Sequence, residues 1–312
     1  HEVWVVAPEY GLPTAEEEGV SRVPSRQVLF DPEDRMMRSR PLGRRLRALN
    51  GRGFDLVHVQ TPFVAHYAGL RLARHWGVPC VETYHTFFEE YLFHYLPVLP
   101  KSAWRAVARL FSRRQCNRLH GLVVPSRAMR EVLERYGVRT TMRVIPTGMP
   151  LDAFQEGDRE AFRVRHGIAV DQPTLVFVGR VAFEKNIEFL LEVVRALKQT
   201  SHPDIVLIVA GEGPAEGRLH RLAGELGVRD NLRFVGYLAR GTDLASCYQA
   251  GEAFVFASRT ETQGLVLLEA MSLGVPVVST AVMGTCDILA AGRGALVAEE
   301  DVAHFAAQVR RV

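Results

Sequence analysis

Two glutamates eight residues apart, Glu261 and Glu269, stand in the segment Ser258-Arg-Thr-Glu-Thr-Gln-Gly-Leu-Val-Leu-Leu-Glu-Ala-Met271. An apolar run, Ala253–Ala257, precedes it and reads as a strand. Gly264 falls where the chain turns into a helix. Free N–H groups and the helix dipole at such a start favour a phosphate. One segment can therefore offer amides to a diphosphate and carboxylates to hydroxyls on either side of it. A capped surface helix with two solvated glutamates is the plainer reading of the same spacing.

A second segment, Phe177-Val-Gly-Arg-Val-Ala-Phe-Glu-Lys-Asn186, ends a strand at Gly179 and places Arg180 and Lys185 in the following loop. Two cations at a strand's carboxyl end can bind a diphosphate and stabilise charge on a departing nucleotide. They could equally pair with Glu184 or Glu188. Val209-Ala-Gly-Glu-Gly-Pro214 adds a Gly-x-Gly after a strand, which is often only a tight turn. His85, in Thr83-Tyr-His-Thr-Phe-Phe-Glu-Glu-Tyr91, follows the strand Pro79–Tyr84. A neutral imidazole there can hydrogen-bond a sugar hydroxyl or steer an acceptor, or it can be structural.

The elements that must position these groups recur along the chain. Strand-like runs fall at Val3–Ala7, Leu56–Gln60, Pro79–Tyr84 and Gly121–Val124, then at Thr174–Val178, Ile205–Ala210, Leu232–Val235, Ala253–Ala257 and Val275–Ser279. Helical patterns alternate with them, which implies right-handed βαβ units and parallel sheets. Near-continuous apolar strands imply helices on both sheet faces. The 312 residues suit two domains, with a boundary near the turn-rich Pro146–Asp152. Ligands of such sheets bind at the carboxyl ends of strands, so a cleft between the domains is the expected site.

Charge is unevenly divided. Residues 1–150 carry 22 Lys+Arg and 14 Asp+Glu, whereas residues 151–312 carry 16 and 21. A net of +8 beside a net of −5 gives the +3 of the whole chain and points the first half toward something anionic. Cys80, Cys116, Cys247 and Cys286 form no CxxC pair and no metal-ligand pattern, which suits a reducing cytosol. No stretch offers the ~20 uninterrupted apolar residues of a membrane span. No secretory signal is present, and the opening His1-Glu-Val-Trp-Val-Val-Ala-Pro8 reads as the middle of a domain.

Taken together, these segments resemble the retaining GT-B glycosyltransferases of family 4, the group 1 family, over nearly the whole chain. Five motifs in order carry the resemblance: His85-Thr86, Val144-Ile-Pro-Thr-Gly148, Gly179-Arg180 with Lys185-Asn186, Gly211-Glu-Gly-Pro214, and the pair Glu261 and Glu269. The resemblance implies an α/β, GT-B architecture of two Rossmann-like domains facing across a cleft. Residues 1–148 would form the acceptor-binding domain and residues 149–312 the nucleotide-sugar-binding domain. Arg180 and Lys185, after Gly179, would hold the donor diphosphate. Glu261 would contact the donor sugar and its phosphate environment, and Glu269 the ribose hydroxyls. The backbone of Gln263, Gly264 and Leu265 would meet phosphate and sugar, and the main chain around Gly236 the base. His85 would contact the sugar near the reaction centre. His85, Glu261, Arg180 and Lys185 thus form the implied catalytic set. The family favours front-face displacement, so no protein nucleophile is expected. Neither a permanently bound cofactor nor a metal is expected, and no Asp-x-Asp occurs. The resemblance further implies a strand and Gly-rich loop before residue 1, and closing helices after residue 312. Restoring them is expected to raise activity.

Glu261-Thr-Gln-Gly-Leu265 departs from the commoner Glu-Gly-Phe-Gly-Leu and is similar to enzymes that glycosylate diacylglycerol, as is the block from His85 to Tyr95. Lys101, Arg105, Arg109 and Arg113 recur every fourth residue, with no acid between 101 and 118. Trp104, Val107, Ala108 and Phe111 fall on another face. A basic amphipathic helix of this kind can lie on an anionic membrane, each cation contributing about 1 kcal/mol. An ordinary packed helix with solvated arginines fits the same pattern. The expected substrates are a nucleotide sugar, UDP-glucose first, and a lipid acceptor, met at the cytoplasmic membrane face. Transfer to a soluble or polyprenyl-linked sugar, or a non-catalytic nucleotide-binding module, are the alternatives. Nucleic acid is not an expected partner, because no recognition motif accompanies the basic half.

Overall fold

Short apolar runs separated by helical patterns become two sets of parallel strands. The structure, a computed structural model, describes residues 1–10, 18–28, 31–85, 87, 101–149 and 157–312. These fall into two compact units, one of residues 1–124 and 130–145, the other of residues 125–129 and 146–312. Thr86 and residues 88–95 of the block after His85, and residues 150–152 of the expected boundary, lie outside the described residues.

In the first unit, β1 (Val5–Pro8) pairs in parallel with β2 (Val20–Val23), and β3 (Ser25–Val28) folds antiparallel onto β4 (Asp31–Met37). Then follow α1 (Ser39–Ala48), β5 (Val57–Val59), α2 (Val64–Trp76), β6 (Cys80–Thr83), α3 (Lys101–Cys116), β7 (Gly121–Val124), α4 (Arg127–Arg135, of which residues 130–135 belong to this unit) and β8 (Met142–Val144). Among the described residues, β5-β6-β7-β8 form a parallel sheet in that order. Helix α2 packs so tightly on it that a Cβ on Gly69 would meet Val59 Cγ2 at 2.5 Å. The helix stops at Gly77, whose φ of +71 closes it in the left-handed conformation.

Helix α3 packs on its unit along one side. Its buried side is Ala108, Ser112, Gln115 and Cys116; of the apolar set Trp104, Val107, Ala108 and Phe111, Ala108 is buried, Trp104 and Phe111 are half-buried and Val107 is exposed. Polar anchors decide the rotation: the Ser112 and Tyr84 hydroxyls pair at 2.8 Å, and Gln115 Nε2 donates to Pro62 O at 2.6 Å. Val107 and Leu110 are each 47% exposed. The Arg109 guanidinium lies 5.5 Å from the Tyr136 ring centroid, so part of the basic stripe packs on its own unit.

The second unit runs α5 (Arg159–Arg165), β9 (Thr174–Val178), a 3-10 turn at Phe183–Lys185, α6 (Ile187–Thr200), β10 (Val206–Ala210), α7 (Glu216–Glu225), β11 (Leu232–Gly236), α8 (Thr242–Gln249), β12 (Ala253–Phe256), α9 (Leu265–Ser272), β13 (Val277–Ser279), α10 (Thr285–Leu289), β14 (Ala295–Val297) and α11 (Val302–Val309). Every residue of β9, β10 and β12 is buried, as helices on both faces require. Ile187, Leu190, Leu191, Val194 and Leu197 form the inward stripe of α6. Asp158 and Asp301 cap α5 and α11, each accepting a backbone N–H at 2.8 Å. The parallel order is β11-β10-β9-β12-β13-β14. Strand order therefore reverses between β9 and β12, where α/β sheets of this kind open a crevice for ligands.

Candidate functional site

The reversal of strand order brings two loops together. β9 delivers Gly179, Arg180 and Lys185, and β12 delivers Glu261. The Lys185 ammonium and the Glu261 carboxylate form an ion pair across 76 residues of sequence, with side chains 19% and 15% exposed. Arg180 Nη2 lies 3.4 Å from Glu184 Oε1. Lys185 thus pairs not with Glu188, which takes Arg218 at 2.6 Å, but with the neighbouring loop.

Gly211 and Gly213 set the backbone of this site. A Cβ on Gly211 would lie 2.0 Å from Gly179 O, and one on Gly213 2.4 Å from Val181 O. That approach lets Val181 N–H donate to Glu212 O at 2.8 Å and Ala215 N–H to Val181 O at 2.9 Å. The Gly211 N–H reaches Gly236 O at 2.8 Å. The Gly-x-Gly turn is therefore a backbone stitch between the loops after β9, β10 and β11.

Gly264, with φ +91, starts α9 and presses on Thr285, whose Cγ2 a Cβ would meet at 2.8 Å. Leu267 N–H donates to Gly264 O at 3.1 Å, while the Leu265 and Val266 amides at the start of α9 have no intrahelical acceptor, the arrangement that can receive an anion. Leu265 opens the helix, half-buried. Glu269, one turn on, is 5% exposed. Its Oε2 accepts the Tyr248 hydroxyl at 2.7 Å, and its Oε1 lies 3.7 Å from Arg240 Nη2. Burial and the adjacent Glu269 carboxylate push the Tyr248 phenol well above its ordinary pKa, which keeps it a donor. Neither Glu261 nor Glu269 is a solvated surface acid. Gly236 ends β11 with φ +72, followed by Tyr237, 73% exposed.

His85 belongs to the first unit. Its Nε2 donates to Gln60 Oε1 at 2.8 Å, and Gln60 Nε2 meets His58 Nε2 at 3.2 Å. His58 Nε2 also meets the Thr83 hydroxyl at 2.8 Å. Burial lowers the pKa of both imidazoles, and for His85 the neighbouring His58 lowers it further. Both rings are therefore neutral near pH 7.

Comparison with known proteins decides the family. Residues 158–312 match the model described as glycosyl transferases group 1, and residues 1–153 match glycosyltransferase family 4. A GDP-mannose-dependent alpha-mannosyltransferase of Mycolicibacterium smegmatis is 30% identical over 100% of this chain and 82% of its own length. The chain belongs to the group 1 family of GT-B glycosyltransferases. An alpha-monoglucosyldiacylglycerol synthase of Streptococcus pneumoniae is 32% identical over 83% of the chain, and a D-inositol 3-phosphate glycosyltransferase of Geodermatophilus obscurus 33% over 83%. The matches cover 59% of the length of each of these two relatives. The fold recurs in a sucrose-phosphate synthase of Thermosynechococcus elongatus (TM-score 0.75, 22% identity, 97% of this chain and 77% of that one). It recurs also in Anabaena HepE crystallised with UDP (TM-score 0.70, 18% identity, 94% and 76%).

Within the second unit the family's motifs converge: Gly179, Arg180 and Lys185 with Glu261, and Gly236 through the Gly211 stitch. Sequence reasoning missed the partners Tyr248, Arg240, Gln60 and His58. Gln60 ends the apolar run at 56–60, so the strand-end argument that found His85 applies to it as well. Tyr248 lies within α8 and carries no such signal.

Proposed function

We propose that this protein is a retaining hexosyltransferase that moves glucose from UDP-glucose to a membrane lipid such as diacylglycerol. The observation that carries the reading is the Lys185–Glu261 pair beside Arg180, at the reversal between β9 and β12. An ammonium held by one carboxylate keeps further N–H donors for a diphosphate. Arg180 and Lys185 balance the charge that grows on the leaving nucleotide, and the α9 amides add to it. Glu261 faces the donor sugar and Glu269 the ribose hydroxyls. Main chain at Gln263, Gly264 and Leu265 meets phosphate and sugar, and that at Gly236 the base. His85 serves the sugar hydroxyls as a neutral imidazole. The leaving phosphate helps deprotonate the acceptor, so no side chain needs to act as nucleophile.

The lipid acceptor is supported by Glu261-Thr-Gln-Gly-Leu265 and by the similarity to an alpha-monoglucosyldiacylglycerol synthase. Among the described residues no helix is long and apolar enough to cross a membrane. The protein works from the cytoplasmic face, with residues 101–118 on anionic lipid. A second reading, mannosyl transfer from GDP-mannose, is favoured by the relative that matches the chain from end to end. A donor screen against mixed lipid, inositol phosphate and polyprenyl-linked acceptors, read by mass spectrometry, tests both. Glucosyl-diacylglycerol is the expected product. Mannosylated product alone replaces the first reading with the second, and binding of nucleotide without turnover leaves a non-catalytic module.

A further inference from the structure

Gln263 stands between Glu261 and the start of α9, and its side chain does something its neighbours do not. It is 6% exposed, and its amide grips the Thr147 peptide by both polar groups. Oε1 accepts the Thr147 N–H at 2.8 Å, and Nε2 donates to Thr147 O at 3.0 Å. Donor meets acceptor in both bonds, so only one orientation of the amide satisfies the pair. Neither a hydrocarbon side chain nor a carboxylate can do this.

The same loop is held elsewhere by backbone. Gly284 N–H donates to Glu261 O at 2.8 Å, and a Cβ on Gly284 would lie 2.1 Å from Thr262 O. Gly264 abuts Thr285. On one flank, then, 261–264 is fixed by main-chain contact with 284–285. On the other it is fixed by one side-chain amide on Thr147, within the Val144-Ile-Pro-Thr-Gly148 motif.

We infer that Gln263 is a positioning residue, which aims the first α9 amides at the donor phosphates by clamping the loop to Thr147. The inference rests on the proposed donor site and deepens it. Oε1 and Nε2 of Gln263 are both engaged by Thr147, so its effect runs through the geometry of the amides beside it. Linkage requires the converse: donor binding must tighten the clamp.

Gln263→Met keeps length and burial but removes both hydrogen bonds, and Gln263→Glu keeps only the acceptor. The expected result for Gln263→Met is about a tenfold rise in UDP Kd and in donor KM, with kcat within about twofold. Gln263→Glu should be at least as impaired. Hydrogen exchange at the Thr147 amide should speed up in both variants. In the wild-type 312-residue chain, UDP should slow that exchange, a readout that needs no variant to fold. Unchanged UDP affinity in Gln263→Met, or a fall in kcat with Kd and KM intact, overturns the inference. So does Thr147 exchange that UDP leaves untouched. Lys185→Ala, run alongside, separates the two levels. If it weakens UDP while Gln263→Met does not, the clamp fails and the donor site stands. If neither weakens UDP, both fail.

Discussion

The two units present different chemistry at the carboxyl ends of their parallel strands, in the second at the reversal between β9 and β12 and in the first at the sequential neighbours β5 and β6. In the second, the carboxyl ends of β9 and β12 carry Arg180, Glu184, Lys185 and Glu261, opposed charges in close pairs. In the first, the carboxyl ends of β5 and β6 carry His58, Gln60, Thr83 and His85, joined through neutral hydrogen bonds. Paired charges suit a doubly charged diphosphate, which can exchange protein partners for its own. A neutral chain of imidazole, amide and hydroxyl suits hydroxyl groups, because no ion must be desolvated. On the proposed function, the parallel sheets would set where a ligand goes, and the side chains at the strand ends what kind it is.

The largest expected effect breaks the charged side. Lys185→Ala should lower kcat/KM by about a hundred- to a thousandfold and weaken UDP binding in calorimetry, with the thermal midpoint nearly unchanged. Wild-type turnover would remove the second unit's side of the contrast. Next, His85→Ala should lower kcat by about a hundredfold while UDP affinity holds. A matching loss of UDP affinity would erase the division of labour. The pH dependence sharpens the same point. Because the folded pKa of His85 is depressed, the unfolded chain binds more protons on acidification. Stability from this group is complete above pH ~6.5 and is lost as pH falls through the depressed value. The acid limb of kcat/KM should therefore lie below 6.5, and Gln60→Leu should move it.

A smaller effect is expected of Tyr248→Phe, which strands the buried Glu269 oxygen. Urea unfolding should show a loss of about 1–3 kcal/mol, with weaker UDP binding. An unchanged midpoint would mean that Arg240 alone satisfies Glu269. The smallest concerns the first unit's surface. Arg114→Glu with Arg118→Glu, two further cations of the acid-free segment 101–118, should reduce sedimentation with anionic vesicles, at about 1 kcal/mol per charge, and leave neutral vesicles unaffected. Equal, negligible binding of the wild type to both would end the membrane reading.

The sequence showed more of the second unit than of the first for a physical reason. β9, β10 and β12 are covered on both faces, so each is a legible apolar run. β2, β3, β4, β8 and β14 were not anticipated. β4 is Asp-Pro-Glu-Asp-Arg-Met-Met, and its pairing with β3 is a contact that composition does not encode. The sequence pattern left the packed face of α3 open, because Ser112 and Gln115 are buried by specific polar partners, which an apolar stripe does not reveal. At the site, the strand-end rule brought Arg180, Lys185 and Glu261 into view. It could not pair Lys185 with Glu261 rather than Glu188, nor supply Tyr248 or Thr147, because those choices are made by tertiary packing.

The close approach of Gly211 to Gly179 O and of Gly213 to Val181 O also bears on how this protein can be redesigned. No side chain of any kind fits at either position without prising apart the three loops they join. Attempts to change donor preference have little room in that framework. They must work through outward-facing groups such as Tyr237, 73% exposed, and not through Arg240, which partners the buried Glu269.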